Sequence, residues 1–357
     1  MCFAFRTTLY ESLWRRNVAK PRRYDQSSLY GAQMAEPMFW MAGLLARDLL
    51  EVSSDPASLD TPGFWAVSAT FEGQWLCARF GQVTQEELPR AIWEPITTSW
   101  VSNFNRGQYE SYVEEIRALI SAGEVYQANA CRIISTEHDG SILGLFHEMH
   151  KSNPAPFASY LSLPELEIAS ASPELFFKRN GINVMSSPIK GTSTSEIFGI
   201  KDQAENIMIV DLMRNDLGKI CQPGSIDVPR LLGVEQHPGL FHLVSDVTGK
   251  INEELSWEEI ASALMPPGSV SGAPKSSALS AISRFEPDER GPYCGALGWI
   301  NGDQALLSVA IRTFWQRAGR LSFGTGAGIT WGSNASAEWE ETALKASRLI
   351  SIANGAI

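Results

Sequence analysis

Four tight turns constrain the fold of this chain more than any other feature. Asn180-Gly181 separates "LEIASASPELFFKR" from "INVMSSPIKG", Asn301-Gly302 separates "GALGWI" from "ALLSVAIRTFW", and Ala318-Gly319 leads on into "LSFGTGAGI". Glu72-Gly73 sits in the middle of "GFWAVSATFEGQWLCARFG". Glycine supplies the positive φ that a tight hairpin needs, and the flanking runs are rich in β-branched and aromatic residues. Each turn therefore joins neighbouring antiparallel strands, and the runs from 295 to 329 read as a three-strand meander ending in glycines. Helical spacing lies elsewhere: Tyr112, Val113, Ile116, Leu119 and Ile120 form one stripe, with Gly123 as its stop. Residues 202–216 and 335–350 read as two more helices, and "VYQANACRII" alternates as a strand. Hairpins with the helices set apart predict an α+β fold: large antiparallel sheets in a sandwich-like core flanked by helices, not a βαβ array.

At 357 residues the chain can bury a sizeable core, as one large domain or two modest ones. A net charge of −11 argues against nucleic acid or an anionic membrane as the main partner, since both require a basic surface. Cys2, Cys77, Cys131, Cys221 and Cys294 are odd in number and scattered, without a C-x-x-C pair. Reduced thiols in the cytoplasm fit them better than a disulfide framework. No apolar run reaches the roughly 20 residues of a membrane helix. The opening "MCFAFRTTLYESLWRRN" lacks the basic head and apolar stretch of a secretory signal.

Two acidic pairs suggest chemistry. Asp202 and Glu205 are three apart on one predicted helix, as are Glu338 and Glu341 on another, so each pair shares a helix face. The bland account is two solvated faces. If the four converge, their repulsion requires a cation, and oxygen ligands without His or Cys suit Mg²⁺. "GTGAGI" lacks the phosphate-loop register; it is either a tight strand-to-helix turn or a nest of backbone N–H groups for an anion. "IRTF" places Arg312 on the adjacent strand, where its guanidinium can fork onto a carboxylate. "GSVSGAPK" is a small-residue loop of the kind that approaches a ligand.

Glu174, flanked by apolar residues in "SASPELFF", is either a solvated strand start or a general acid with a raised pKa. Lys190 stands in "SSPIKGTSTS" with no other charge nearby, and the ordinary account of such a lysine is a snorkelling surface residue. No activated Ser or Cys is present, and His237 and His242, five apart, do not make a zinc site.

Taken together, these segments place the chain in a wider pattern. From roughly residue 100 to 350 it resembles the chorismate-utilising enzymes, the family of anthranilate synthase component I, aminodeoxychorismate synthase component I, isochorismate synthase and salicylate synthase. The segments that carry the resemblance are "AGEVYQAN", "SASPELF", "PIKGT", "KDQAENIMIVDLMRNDLGKIC", "FHLVSDVTG", "GSVSGAPK", "YCGALGW", "VAIRTF", "GTGAGI" and "SAEWEETALKA", in the family's order. It implies the chorismate-binding fold for residues 99–357, with residues 1–98 a shortened N-terminal region adding strands to the same core.

The resemblance also implies roles. Glu205 and Glu341 are expected to ligate Mg²⁺ directly, and Asp202 and Glu338 through water. The ring carboxylate of chorismate is expected between the metal and the backbone of Gly326 and Gly328. Arg312 and Tyr293 would hold the enolpyruvyl carboxylate, while His242, Thr192 and Ser271 line the ring. Glu174 would protonate the departing C4 hydroxyl.

Relatives that make anthranilate resemble one another in reading P-I-A-G-T, and those that make 4-amino-4-deoxychorismate read P-I-K-G-T. The lysine form implies that Lys190 attacks C2, after which ammonia displaces it by attack at C4. Gln127 stands where the hydrolytic branch carries a lysine base, which implies that water is not the nucleophile. The chain shows no glutaminase segment, so a separate glutamine amidotransferase subunit is the expected ammonia source. The alternatives are an anthranilate synthase component with an atypical lysine, a chorismate-binding subunit of weak activity, and a secondary-metabolism relative using the same lysine. Ser271 replaces the commoner threonine, Trp331 stands where a small or acidic residue is expected, and the short N-terminal region predicts no inhibition by tryptophan.

Overall fold

The turn glycines fall where a left-handed backbone is needed. Gly73, Gly181, Gly302 and Gly319 have φ of 87°, 60°, 61° and 74°, and Ala318 precedes the last at 50°. All four turns join antiparallel strands. The structure, a computed structural model, describes residues 22–23 and 36–356 except 194, 238 and 239. Cys2, the N-terminal stretch and the side chains of Thr192 and His237 therefore lie outside the described residues.

In chain order the first strands are β1 (Arg22–Arg23), β2 (Met38–Met41), β3 (Leu44–Ser53), β4 (Phe64–Ala69), β5 (Trp75–Gln85) and β6 (Val101–Ser102). Helix α1 (Arg106–Ser121) precedes β7 (Gln127–Glu137), and α2 (Leu143–Ser152) precedes β8 (Phe157–Leu163) and β9 (Leu166–Ser172). Then come β10 (Leu175–Asn180), β11 (Asn183–Ser187) and β12 (Ile189–Ser193), followed by α3 (Ile200–Gly218). A long ribbon of β13 (Asp227–His237) and β14 (Leu240–Lys250) leads to α4 (Trp257–Leu264), the short β15 (Gly272–Ala273) and α5 (Lys275–Phe285). The chain ends with β16 (Ala296–Asn301), β17 (Gln304–Val309), β18 (Thr313–Arg317), β19 (Arg320–Ile329) and α6 (Ala335–Ala353).

Every pairing is antiparallel, and the strands form one strip. It runs from β13 through β14, β11, β10, β17, β16, β4, β5, β3, β2, β8, β9, β18 and β19 to β7. At one end β12 also pairs with β14; at the other, β15 and β6 pair with β7. The strip curls on itself. One core cluster joins Trp65 and Val67 of β4, Cys131 of β7, Phe176 of β10 and Val247 of β14 under α3 and α4. A second packs β2, β8, β9, β18 and β19 against α2 and α6. The result is a sandwich-like α+β core covered by helices, and the strands before residue 98 belong to the same sheet through β4–β16 and β2–β8.

One expectation about the strands fails. "ALLSVAIRTFW" is not a single strand: β17 stops at Val309, Arg312 takes φ 53°, and β18 starts at Thr313 beside β9. The break lets consecutive segments serve opposite parts of the strip, because β17 pairs with β10 and β16. Among the described residues no helix is long and apolar enough to cross a membrane.

Candidate active site

The two ends of the strip meet at Lys190. It lies on β12, opposite Leu243 of β14. Facing it from the other end are Gly328 of β19 and Gln127 of β7: a Cβ at 328 would stand 2.4 Å from Gln127 Nε2 and 3.7 Å from Lys190 Nζ. The first distance is a clash, so glycine at 328 lets the glutamine and lysine side chains occupy one small space.

Gly324 and Gly326 play similar parts, their missing Cβ atoms replaced by the Tyr293 ring and by Cys131 Sγ at 2.7 Å. "GTGAGI" is therefore neither a loop nor a left-handed nest; it is the extended end of β19, and its glycines serve close approach. Beyond Phe323 this strand has β7 on one side and, among the described residues, no strand on the other. The Gly326 carbonyl accepts from Lys345 Nζ at 3.1 Å on that open edge. In an extended strand the N–H of the same residue points the same way, so the Gly326 N–H faces off the edge too.

Glu174 sits between β9 and β10, 3% exposed, and is not the solvated strand start it resembles in sequence. Burial pushes its carboxyl up to about 7, although the Ser269 hydroxyl, the charge of Lys190 and the Ile189 backbone each pull it back down. Burial acts in the opposite sense on Lys190, pushing its ammonium below the usual lysine range against the attraction of Glu174, Glu205 and Glu341, with Lys345 helping to lower it. An acid biased to hold its proton thus stands beside an amine biased to lose one. Pairs of groups pushed apart in this way mark acid and base assignments.

The other expected residues differ in their surroundings. Ser271 caps the short turn Gly268–Val270, is fully buried, and donates to the Gly268 carbonyl at 3.2 Å. Arg312 is at the strand break, not on a strand; burial lowers its pKa, and among the described residues no carboxylate pairs with it. A mostly buried guanidinium without an acid suits an incoming anion. Tyr293 is a core residue whose ring lies on Gly324. His242 is buried on β14, paired in register with Thr192 of β12. Gln127 is 2% exposed, and among the described residues its Oε1 has no hydrogen-bond partner.

The four carboxylates come from α3 and α6. Asp202 Oδ2 accepts from the Gly199 N–H at 3.1 Å, capping its own helix. Burial raises the pKa of Glu205, with Asp202 and Glu341 adding to the effect and Lys190 and Lys201 opposing it. Burial also raises Glu338, which Ser333 and the charges of Lys201 and Lys345 counter. Glu341 is the most open, 48% exposed, and pairs with Lys345 at 2.6 Å. Among the described residues no three acidic, histidine or cysteine side chains converge closely enough to hold a cation unaided. The donor set nonetheless fits Mg²⁺, which takes one or two carboxylates and completes its shell with water and substrate oxygen.

Sequence reasoning missed Ser269, Lys201 and Lys345. The i,i+4 spacing of Lys201 with Glu205 and of Lys345 with Glu341 was a readable signal for the lysines. Ser269 was marked only by its place in the small-residue segment "GSVSGAPK"; its approach to Glu174 depends on the tertiary fold.

Known proteins bear on this geometry. The aminodeoxychorismate synthase component 1 of Salmonella typhimurium is 34% identical over 287 residues, which cover 76% of this chain and 63% of that protein. The anthranilate synthase component 1 of Saccharolobus solfataricus is 36% identical over 257 residues, covering 68% of this chain and 61% of that one. The chain thus spans somewhat less than two thirds of the length of these relatives. Anthranilate synthase component I of Streptococcus pneumoniae superposes with a TM-score of 0.74 at 22% identity, over 94% of this chain and 96% of that one. The menaquinone-specific isochorismate synthase of Escherichia coli gives 0.75 at 18%, over 97% and 99%. At such identities the likeness concerns the fold. Residues 66–351 match the family model described as chorismate binding enzyme, and the chain belongs to that family.

Proposed function

We propose that the chain aminates chorismate at C4, forming 4-amino-4-deoxychorismate with ammonia from a separate glutamine amidotransferase subunit. The observation that carries this reading is the pair Lys190 and Glu174, enclosed together and biased in opposite directions. The likeness to aminodeoxychorismate synthase component 1 supports it.

Glu174 donates its proton to the C4 hydroxyl, which leaves as water. The neutral Lys190 amine forms a bond to C2 as the C4–O bond breaks and the ring double bond shifts, and the lysine nitrogen then gives up a proton to the Glu174 carboxylate. Ammonia attacks C4, the double bond returns, and the C2–N bond breaks as Glu174 returns that proton to the departing lysine nitrogen; the new C4 ammonium then loses a proton to Glu174, which restores the acid. The balance is chorismate plus ammonia to aminodeoxychorismate plus water.

Arg312, without an acid of its own, takes the enolpyruvyl carboxylate, and the open edge of β19 at Gly326 and Gly328 takes the ring carboxylate. Glu205 and Glu341 would hold Mg²⁺, aided by Asp202 and Glu338 through water, and the ion would supply positive charge toward a dianionic substrate. Gln127 carries no basic nitrogen, so water gains no general base there.

The test is mass spectrometry of the products that the purified protein forms from chorismate, Mg²⁺ and ammonium. Aminodeoxychorismate is the expected product. Fluorescent anthranilate would make the chain a member of the other aminating branch, a result that the relative in Saccharolobus solfataricus keeps in play. Binding of chorismate without turnover would mark a non-catalytic subunit.

A further inference from the structure

We infer that Arg290 is a positioning residue of the site: its guanidinium sets the spacing between the strand that carries Gln127 and the turn that presents Ser269 to Glu174. This inference rests on the proposed roles of Glu174 and Gln127. Arg290 is 1% exposed, and its fork spans two segments that line the site. Nη2 donates to the Asn129 carbonyl at 2.6 Å and Nη1 to the Val270 carbonyl at 3.0 Å. Asn129 is two residues along β7 from Gln127, and Val270 lies between Ser269 and Ser271. The same segments meet once more where the Asn129 N–H donates to the Ser271 carbonyl at 2.9 Å.

The guanidinium is itself fixed from behind. Glu286 accepts from Nε at 2.8 Å and Nη2 at 2.7 Å, and its Oε1 also accepts from the Cys131 N–H and the Tyr112 hydroxyl, each at 3.1 Å. The Phe71 ring lies 4.1 Å from the guanidinium carbon, and the Arg290 N–H donates to Glu72 at 2.6 Å. A planar fork can hold two carbonyls and a carboxylate at set distances; an ammonium on a flexible stem cannot. Every acceptor of the guanidinium beyond Glu286 is a carbonyl of a site wall, so loosening the fork moves Ser269 relative to Glu174, whose charged neighbour is Lys190.

Arg290→Lys keeps the charge opposite Glu286 and removes the fork. Turnover should fall by about a hundredfold, as for a displacement of about 1 Å, while chorismate affinity stays within about threefold of wild type. Affinity is read by quenching of tryptophan fluorescence. Ser269→Ala should leave the melting temperature unchanged and move the high-pH limb of turnover upward, because the hydroxyl that pulls Glu174 down is gone. The inference is overturned if folded Arg290→Lys turns over like wild type, or if its affinity and turnover fall in equal measure. Should that variant not fold, an unaltered pH profile in Ser269→Ala overturns it alone. If wild type makes anthranilate, C4 amination fails, while the ratio of variant to wild-type turnover still tests Arg290.

Discussion

Two half-buried lysines stand near buried carboxylates in this molecule, and their surroundings differ. Lys275 Nζ touches Asp216 at 2.5 Å and the carbonyls of Pro266 and Leu264 at 3.0 and 3.3 Å, so all three of its donors are used. Lys219 covers the other Asp216 oxygen at 2.8 Å. Burial lowers the Lys275 pKa, but contact with Asp216 counters it. Lys190 is lowered by burial as well, and Glu174 reaches it through charge without a contact ion pair. A lysine whose protons are all engaged is a clamp. One desolvated without such partners is prepared to act as a neutral nucleophile.

The sharpest way to break this comparison is to remove each ammonium. Lys190→Ala should lower aminodeoxychorismate formation by roughly a thousandfold or more, as loss of a covalent nucleophile does. Ammonia then adds at C2 alone, so residual product should shift toward anthranilate, which mass spectrometry and fluorescence separate. Stability should change little, since no contact pair is broken. Equal turnover by the variant would remove Lys190 from the mechanism.

Glu174→Gln comes next. It keeps the size and some hydrogen bonding of the side chain but carries no transferable proton, so turnover should fall by about a hundredfold or more. The fall in wild-type activity as pH rises past about 7, where Glu174 loses its proton, should be absent from what remains. Steady-state rates from pH 5.5 to 9 at fixed free-ammonia concentration, about four points per limb, check it. An unchanged limb would assign that titration to another group.

These expectations show what the sequence makes legible. Hairpins were readable because Asn180-Gly181 and Asn301-Gly302 carry their geometry in the turn itself. The pairing of β10 with β17, residues more than a hundred apart, has no local signal, and neither has the break at Arg312, where no glycine or proline marks the positive φ. At the site, residue types were legible but their settings were not. Glycines 324, 326 and 328 looked like a loop because sequence does not show what presses on them; Tyr293, Cys131, Gln127 and Lys190 do. Glu174 is surrounded by apolar residues in sequence, yet its burial depends on β17, whose Val309 N–H bonds to its carbonyl at 3.1 Å.

The clamp should respond in stability where the proposed nucleophile, Lys190, responds in rate. Lys275→Met leaves Asp216, 1% exposed at its side chain, with Lys219 alone, and removing one partner of a buried pair costs about 3–5 kcal/mol. The value expected here is at the lower end, because Lys219 remains. Urea unfolding at neutral pH measures it, and the product made by the folded fraction should be the same as wild type. Loss of less than about 0.5 kcal/mol would show that the pair behaves like a surface one.

The smallest effect is a pH dependence of stability set by Glu174, which burial raises from 4.5 to about 7. A raised acid binds its proton more tightly in the folded chain than in the unfolded one. Between these two pH values the folded state holds more protons, so the stability gained from that proton is present below 4.5 and is lost as pH rises through about 7. Glu174→Gln removes this dependence. Relative to its own value at pH 4.5, the variant should therefore become more stable than wild type as pH rises, by at most about 3 kcal/mol above pH 7. Thermal melts of both proteins at pH 5 and 8 decide the matter: parallel shifts would mean that Glu174 ionises as freely in the fold as out of it, and that burial does not hold its proton for the reaction.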